Sequence, residues 1–237
     1  MATNHTHHSG TYSGKKLHIL TTSATNIRMY NLNGGKSLLD SSYYGVNGGF
    51  FSSRALNIAM SDGKVIGATT NNWCGGGVIT WNGNYFKRYQ TTQILAALDD
   101  DVLTKNGTWA QGGHDMRLGN SQWLTKLYGD IGGNPSKELK NIVEGSSLRT
   151  GIVVDTLSKN TYLVISDTAC SFGGFRDAVQ EYLGIKEAGE NNRYYGLFLD
   201  GGGSTQMKYK QGSTTTEVDK SGQNRPLYQI IALRDPS

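Results

Sequence analysis

An aspartate and three glycines follow directly on an apolar segment late in the chain. Residues 195–199 are typical of a buried strand, and the five residues after them are Asp200, Gly201, Gly202, Gly203 and Ser204. Glycines bring bare backbone N–H groups close together, and such concave arrays of amides bind anions, phosphate in particular. A tight turn capped by the aspartate would give the same pattern. The motif lacks the Gly-Lys-Ser/Thr ending of a P-loop and the closing glycine of a nucleophile elbow.

A second glycine-rich segment ends in two aromatic residues. It consists of Gly45, Val46, Asn47, Gly48, Gly49, Phe50 and Phe51. Adjacent aromatic rings either bury the edge of a core or present a face on which a sugar ring stacks. The side-chain amide of Asn47 would either cap the turn or hydrogen-bond a ligand.

Polar residues also stand at the ends of other apolar segments. Arg149 and Thr150 open one strand, Asp167 follows another, and His114 and Asp115 lie in a glycine-containing loop. A guanidinium binds a phosphate through two parallel hydrogen bonds, although an arginine at a strand start is often solvated or a cap. A histidine beside an aspartate is a candidate general base, and a hydrogen-bonded loop pair is the simpler interpretation.

Short periodicities of two residues outnumber helical ones and predict the elements that must position these side chains. They favour an α+β fold in a single domain, with a mixed, mostly antiparallel β-sheet, hairpins and two or three packed helices. Strands are predicted over residues 17–20, 27–30, 150–154, 162–165, 195–199 and 227–233. Two further hairpins turn at Asp62-Gly63 and Asn82-Gly83, dipeptides that suit type I′ turns.

Helices are predicted over residues 91–104, 136–144 and 174–183. In the last of these, Phe175, Val179 and Tyr182 share one face, which we expect to pack against Ile152 and Leu199 of the sheet. Polar segments 105–147 and 208–225 are expected to be surface loops.

Composition excludes several classes of protein. The 237 residues include 32 glycines and 3 prolines without a repeat, as expected for one globular domain and not for a low-complexity chain. The net charge of +4 comes without a basic stripe, so nucleic acid is not an expected partner. No apolar run approaches the ~20 residues that span a bilayer. Residues 1–14 are polar and are expected to be a flexible N-terminus, preceding a domain of residues 15–237.

The cysteines and N-terminal histidines leave their roles open. Cys74 and Cys170 are either two buried thiols or a single bridge. His5, His7 and His8 are either a frayed terminus or a loose metal-binding tract.

Taken in order, three motifs resemble those of the phosphodiester glycosidase family. They are the segment 45–51, the run Arg-Thr-Gly-Ile at 149–152 and the run Asp-Gly-Gly-Gly-Ser-Thr at 200–205, and the resemblance runs from residue 17 to residue 234. It implies a hydrolase that cleaves the bond between an anomeric carbon and phosphate in a carbohydrate phosphodiester, of the α-N-acetylglucosamine-1-phosphate type. That substrate would be a glycan, a wall polymer or a nucleotide sugar. Because no signal peptide or transmembrane segment is recognisable, a bacterial or phage version is expected, cytoplasmic as synthesised and acting in a virion or on a cell wall.

The resemblance also implies roles for the residues above. The candidate catalytic residues are Asp200, Arg149 and Asp167. The candidate substrate-binding residues are Asn47, Gly48, Phe50, Phe51, Thr150, Gly201, Gly202, Gly203, Ser204 and His114. Asp200 would act as general base or as nucleophile, while Arg149 and the glycine amides hold the phosphate. A Ca²⁺ or Mg²⁺ ion on Asp200 or Asp167 is the alternative to direct carboxylate catalysis.

Two other functions remain alternatives. A glycan-binding module of a phage or bacterial surface protein would use the aromatic and glycine-rich segments without cleaving anything. A phosphodiesterase would instead cut the P–O bond and leave phosphate on the sugar side. The sequence does not decide the oligomeric state.

Overall fold

The computed structural model describes residues 4–70, 76–89, 98–130, 133, 135–189 and 191–236. Two β-sheets and a layer of helices make up this part of the chain, which confirms the α+β class and the single domain. The helices are α1 (Asp100–Thr104), α2 (Trp123–Asp130), α3 (Lys137–Glu144) and α4 (Phe172–Leu183).

The strands in chain order are β1 (His5–Tyr12), β2 (Lys15–Ser23), β3 (Ile27–Lys36), β4 (Gly45–Asn47), β5 (Ala59–Ser61), β6 (Lys64–Val65), β7 (Gly77–Trp81), β8 (Phe86–Tyr89), β9 (Trp109–Asp115), β10 (Thr150–Asp155), β11 (Asn160–Ser166), β12 (Tyr194–Phe198), β13 (Met207–Gln211), β14 (Thr214–Val218) and β15 (Leu227–Leu233). The larger sheet has the order β1-β2-β11-β10-β12-β9-β5-β6, with β7 paired to both β9 and β8. The smaller sheet has the order β14-β13-β4-β15-β3. Every pairing between these named strands is antiparallel.

The larger sheet is the middle layer of three, because alternate residues of its strands are buried on opposite faces. Ile152 and Leu199 lie in the apolar core shared with the smaller sheet. Val153 and Phe198 lie in the core shared with the helices. Helix α4 therefore packs on Val153 and Phe198. The prediction that it packs on Ile152 and Leu199 is wrong, because these neighbouring residues face the smaller sheet.

Helix α4 has the ends that its sequence predicts. The Ser171 hydroxyl accepts a hydrogen bond from the amide of Gly174 at the N-terminus, and Gly184 closes the C-terminus at φ +67°. Helix α3 follows the prediction too, with Ser136 as its N-cap. In the first predicted helix, residues 91–97 lie outside the described part of the chain, and α1 begins after Asp99.

Both predicted hairpins form, with different turns. Asp62 and Gly63 adopt positive φ between β5 and β6, as a two-residue type I′ turn requires. The second hairpin uses a four-residue loop, residues 82–85, because Trp81 pairs with Phe86. The Asn82 side chain stabilises this loop by accepting hydrogen bonds from the amides of residues 84 and 85.

Three segments that were expected to be irregular are ordered. Residues 5–12 form β1, pairing with β2 along their whole length, so this part of the expected flexible N-terminus is instead a strand. The segment 105–147 contains the wholly buried strand β9 besides α2 and α3. The segment 208–225 contains most of the hairpin β13–β14. No helix in the described ranges is long and apolar enough to cross a bilayer.

Candidate functional site

A cleft of about 690 Å³ opens at the edge of the larger sheet where β10 begins and β12 ends. Six of the residues singled out in the sequence line it: Phe50, Phe51, Arg149, Asp200, Gly201 and Gly202. Three segments far apart in the chain thus contribute to one site, as strand ends commonly do.

Strand pairing explains why Arg149 and Asp200 share this cleft. The carbonyl of Thr150 accepts a hydrogen bond from the amide of Leu199 (2.9 Å). The carbonyl of Leu148 accepts another from the amide of Gly202 (2.8 Å). The neighbours of Arg149 are therefore bonded to residues on either side of Asp200, and the ladder between β10 and β12 holds the two functional residues at the same edge.

Asp200 combines access to the cleft with a buried carboxylate oxygen. The residue is partly exposed, but its Oδ2 is buried and has no hydrogen-bond partner among the described residues. Its Oδ1 accepts a hydrogen bond from the amide of Gly201 (3.0 Å). Burial raises the pKa of the Asp200 carboxyl to about 6, against the opposing effects of the Ser204 hydroxyl and the Arg225 guanidinium. The group thus titrates near neutral pH, as a general acid or base does.

Arg149 lines the cleft and also stabilises the fold through its hydrogen bonds. Its guanidinium donates from Nε to the carbonyl of Cys170 (2.8 Å) and from Nη2 to the carbonyl of Gly145, and lies 4.7 Å from the centroid of the Phe172 ring. Burial lowers the pKa of Arg149 to about 10, which leaves it charged at neutral pH. The cation is thus held rigidly at the cleft by backbone carbonyls, without an acidic side chain among its described hydrogen-bond partners.

Arg225 is a second cation at the site, which the sequence analysis did not single out. It donates to the hydroxyl of Ser204 (3.1 Å), and its guanidinium lies 4.6 Å from the centroid of the Phe51 ring. Unlike Arg149 it is exposed. In the sequence, Arg225 is notable only because it precedes Pro226 at the start of the last strand. This position does not predict that the side chain lies beside the glycine turn.

Asn47 and Thr150 lie beneath the glycine turn and do not line the cleft. Asn47 is 1% exposed and donates to the backbone carbonyl of Asp200 (2.7 Å). Its Oδ1 accepts hydrogen bonds from the Thr150 hydroxyl (2.8 Å) and the amide of Gln206 (3.2 Å). The hydrogen-bonding groups of the Asn47 side chain are therefore satisfied within the protein, and they connect β4, β10 and the glycine turn.

Most amides of the glycine turn are also bonded within the protein. Gly201 donates to its neighbour Asp200, Gly202 to Leu148 and Ser204 to Gly201. Of the three predicted phosphate donors, Gly203 has the one amide that donates to no described group. A Cβ on Gly203 would lie 2.0 Å from the Gln223 side chain, which shows that the loop before β15 covers this glycine.

Gly48, Asp167 and His114 are placed away from the cleft lining. Gly48 is packed so tightly that a Cβ would lie 2.0 Å from Oε1 of Gln229. Asp167 forms ion pairs with Lys16 (2.9 Å) and Lys220 (3.5 Å). Its hydrogen bonds to Lys16 and His18 lower its pKa despite the opposing effect of burial.

His114 is 0% exposed and packs edge-on against two rings, those of Phe50 and Phe172. Its ring therefore stabilises the position of Phe50, which lines the cleft.

Helix α3 supplies a wall of the cleft that the sequence analysis did not assign to it. Lys137, Glu138, Asn141 and Ile142 line the site from this helix. The amphipathic pattern predicts the helix, but it does not indicate that the polar face borders a site. Glu138, and not Asp167, is the second carboxylate of the cleft.

The described part of the chain contains no cluster of side chains suited to the Ca²⁺ or Mg²⁺ alternative. No group of three or more His, Cys, Asp or Glu side chains is placed there to hold a metal ion. Asp200 lines the cleft, whereas Asp167 does not and is paired with Lys16 and Lys220. Cys170 is a buried free thiol, and Cys74 lies outside the described residues.

The fold is similar to that of known structures. The catalytic domain of zebrafish N-acetylglucosamine-1-phosphodiester α-N-acetylglucosaminidase, auto-inhibited by its pro-peptide, matches 99% of this chain and 83% of its own at 15% identity, with a TM-score of 0.62. A hypothetical protein from Synechocystis matches 96% of this chain and 61% of its own at 13% identity, with a TM-score of 0.48, too weak a likeness to support an inference. No curated protein matches the chain.

A family model described as phosphodiester glycosidase matches residues 40–234. The matched segment covers most of the chain and includes the aromatic wall, Arg149 and the Asp200 turn that together form the cleft. The chain therefore belongs to the phosphodiester glycosidase family.

Proposed function

We propose that this protein is a hydrolase that cleaves the bond between the anomeric carbon and the phosphate of a carbohydrate 1-phosphodiester, with α-N-acetylglucosamine as the sugar. The observation that carries the proposal is that Asp200, a carboxyl of raised pKa, lines one cleft together with Arg149, while a second arginine, Arg225, packs on Phe51 of the same cleft. Family membership and the activity for which the zebrafish relative is named support the choice of substrate class.

In this proposal the cations bind the phosphate. Arg149 is held by backbone carbonyls and keeps its charge in a buried position, where a cation–phosphate interaction is strong. Arg225 is exposed and extends over Phe51, so it approaches the same phosphate from the solvent side. Phe50 and Phe51 form the apolar wall against which the sugar packs.

Asp200 is proposed to act as the general base. The leaving phosphate monoester departs with the electron pair of the broken C–O bond and needs little protonation, so the site does not require a strong acid. Attack on the anomeric carbon needs a water whose proton is removed, and a carboxylate of pKa about 6 accepts that proton near neutral pH. Water oxygen bonds to the anomeric carbon, its proton moves to Asp200, and the phosphate monoester is released.

The methyl phosphodiester of α-N-acetylglucosamine-1-phosphate, incubated in ¹⁸O-labelled water, tests this reaction. We expect free N-acetylglucosamine and methyl phosphate, with no ¹⁸O in the phosphate by ³¹P NMR. Label in the phosphate would identify P–O cleavage and overturn the assignment to glycosidase chemistry. Binding of the substrate without any product would favour the glycan-binding alternative.

The matched variant is Asp200→Asn, which keeps the size of the side chain and removes its basicity. We expect kcat to fall at least ~100-fold, the low end for loss of one acid–base group. Asp167→Asn is the control, since Asp167 pairs with Lys16 and Lys220 and does not line the cleft. The kcat of this variant is expected to stay within about two-fold of wild type. Full activity in Asp200→Asn would remove Asp200 from the mechanism.

A further inference from the structure

A second cleft of about 660 Å³ lies beside the first. The residues that form its polar lining are Asn31, Asn33, Arg54, Thr69, Thr70 and Tyr228. Its apolar floor includes Ala55, Leu56 and Ile66. Amides, hydroxyls and an aromatic ring over an apolar floor are the mixture that binds a saccharide.

One pair of rings separates the two clefts. Phe51 lines the first cleft and Tyr228 lines the second, and their ring centroids are 5.3 Å apart. The partition is fixed, since Phe51 forms a β-bridge with Ala55 and the Tyr228 hydroxyl donates to the carbonyl of Ser53. A ligand longer than one sugar unit that leaves the first cleft past Phe51 and the Arg225 guanidinium on its ring therefore reaches the second.

The charge of the second cleft is positive. Arg54 sits at the tip of the loop between Phe51 and Ala55, is exposed, and forms no hydrogen bond or ion pair with its side chain within the described ranges. No aspartate or glutamate is among the described residues that line this cleft. A cation without a counter-ion beside polar groups that suit a sugar favours a saccharide that carries an anionic group.

We propose that the second cleft is a subsite for the next sugar-phosphate unit of an extended substrate, with Arg54 binding the second phosphate. The proposal rests on the proposed function, because it makes the first cleft the place where the bond is cut. It makes an oligomeric glycosyl phosphate a better substrate than a single phosphodiester.

The experiment compares two probes, the methyl phosphodiester of α-N-acetylglucosamine-1-phosphate and a trimer of α-N-acetylglucosamine-1-phosphate units joined by phosphodiesters. Wild type is expected to show the higher kcat/KM for the trimer. Arg54→Gln is expected to lower kcat/KM for the trimer about 10-fold more than for the methyl diester, mainly through KM, because one charge-assisted contact is lost. Arg54→Lys is expected to recover part of that loss, since it restores the charge without the planar fork.

Lys186→Gln is the matched control, since it removes one exposed positive charge just beyond α4. It is expected to leave both kcat/KM values unchanged. Equal effects of Arg54→Gln on the two probes, or no effect, would overturn the subsite. If wild type cleaves neither probe, the proposed function fails, and calorimetric titration with the intact trimer decides the subsite alone. A Kd about 10-fold weaker in Arg54→Gln would then support it, and an unchanged Kd would overturn it.

Discussion

The side-chain amide of Asn47 donates a hydrogen bond to the backbone carbonyl of Asp200 over 2.7 Å. The two residues are far apart in the chain, and the bond fixes the start of the glycine turn against strand β4. Because Oδ1 of Asn47 also accepts from Thr150 and Gln206, one buried amide sets the position of the candidate general base.

Asn47→Ala is expected to lower the free energy of unfolding by about 2–4 kcal/mol, because it leaves buried polar groups without their partner. Urea unfolding measures this loss. We expect kcat of the folded variant to fall as well, since Asp200 loses its support. Asn84→Ala, at an exposed loop position, is the control and should change the unfolding free energy by less than about 0.5 kcal/mol.

The Asp200 carboxyl is expected to make the protein less stable as pH rises. Its pKa is about 6 in the folded state against an ordinary value of 3.8. Between these values the folded chain binds more protons than the unfolded chain, so the unfolding free energy falls as pH increases from about 4 to about 6. In Asp200→Asn this dependence is absent. Relative to wild type, the variant should gain about 1–3 kcal/mol between pH 4 and pH 7.

Urea unfolding at a series of pH values checks this gain. In wild type, kcat/KM should rise with pH through about 6 and then level off, because the ionised carboxylate is the base. A kcat/KM that instead falls through pH 6 would make Asp200 a general acid.

Arg149, which lines the cleft, and Arg225, which packs on Phe51 beside it, are expected to respond differently to substitution. Arg149→Lys cannot reproduce the two hydrogen bonds from a planar guanidinium to the carbonyls of Cys170 and Gly145, so unfolding free energy should fall by about 2 kcal/mol or more. Arg225→Ala should leave the melting temperature near that of wild type, since the side chain is exposed. Its KM for a sugar phosphodiester should rise about 10-fold. Equal melting temperatures for the two variants would contradict the structural role of Arg149.

Helix α4 offers a test of the layer order. Val179 is 1% exposed in the core between the helices and the larger sheet. Val179→Asp is expected to cost at least about 3 kcal/mol of unfolding free energy, because it buries an unpaired charge. Val179→Ala removes volume without adding charge and should cost about 1–3 kcal/mol. A melting temperature for Val179→Asp equal to that of wild type would place the residue outside the core.

The meeting of Arg149 and Asp200 could be predicted because it depends on local patterns. Each lies at the end of an apolar segment of five or six residues, and antiparallel pairing of β10 and β12 brings those ends together. Strand β9 could not be recognised in this way. Its sequence mixes glycines with polar residues, and the buried Gln111 is satisfied by Gln229, 118 positions away (2.9 Å).

Partners that are distant in the chain also explain why the sequence does not predict the roles of Asn47 and of hairpin β13–β14. A side chain whose partners come from distant strands carries no periodic signal, so the sequence leaves Asn47 open between a cap of the turn and a ligand-binding group. Lys208 makes β13 look solvated, yet it is 9% exposed and donates to the carbonyls of Leu39 and Ser41. Long-range satisfaction of polar groups, not hydrophobic patterning, decides these positions.

Strand β15 lies inside the smaller sheet, between β3 and β4. Ile27 pairs with Leu233, and Val46 pairs with Ile231. Strand β3 therefore has no neighbour in this sheet before β15 is made, whereas β4 already has β13 on its other side. During synthesis β3 therefore stays separate from the other strands of this sheet until residue 233 has left the ribosome. Such non-local pairing slows folding and leaves unpaired strand edges exposed meanwhile. Since β4 carries Asn47, which bonds to the carbonyl of Asp200, the support of the glycine turn is complete in a nascent chain only after translation of β15.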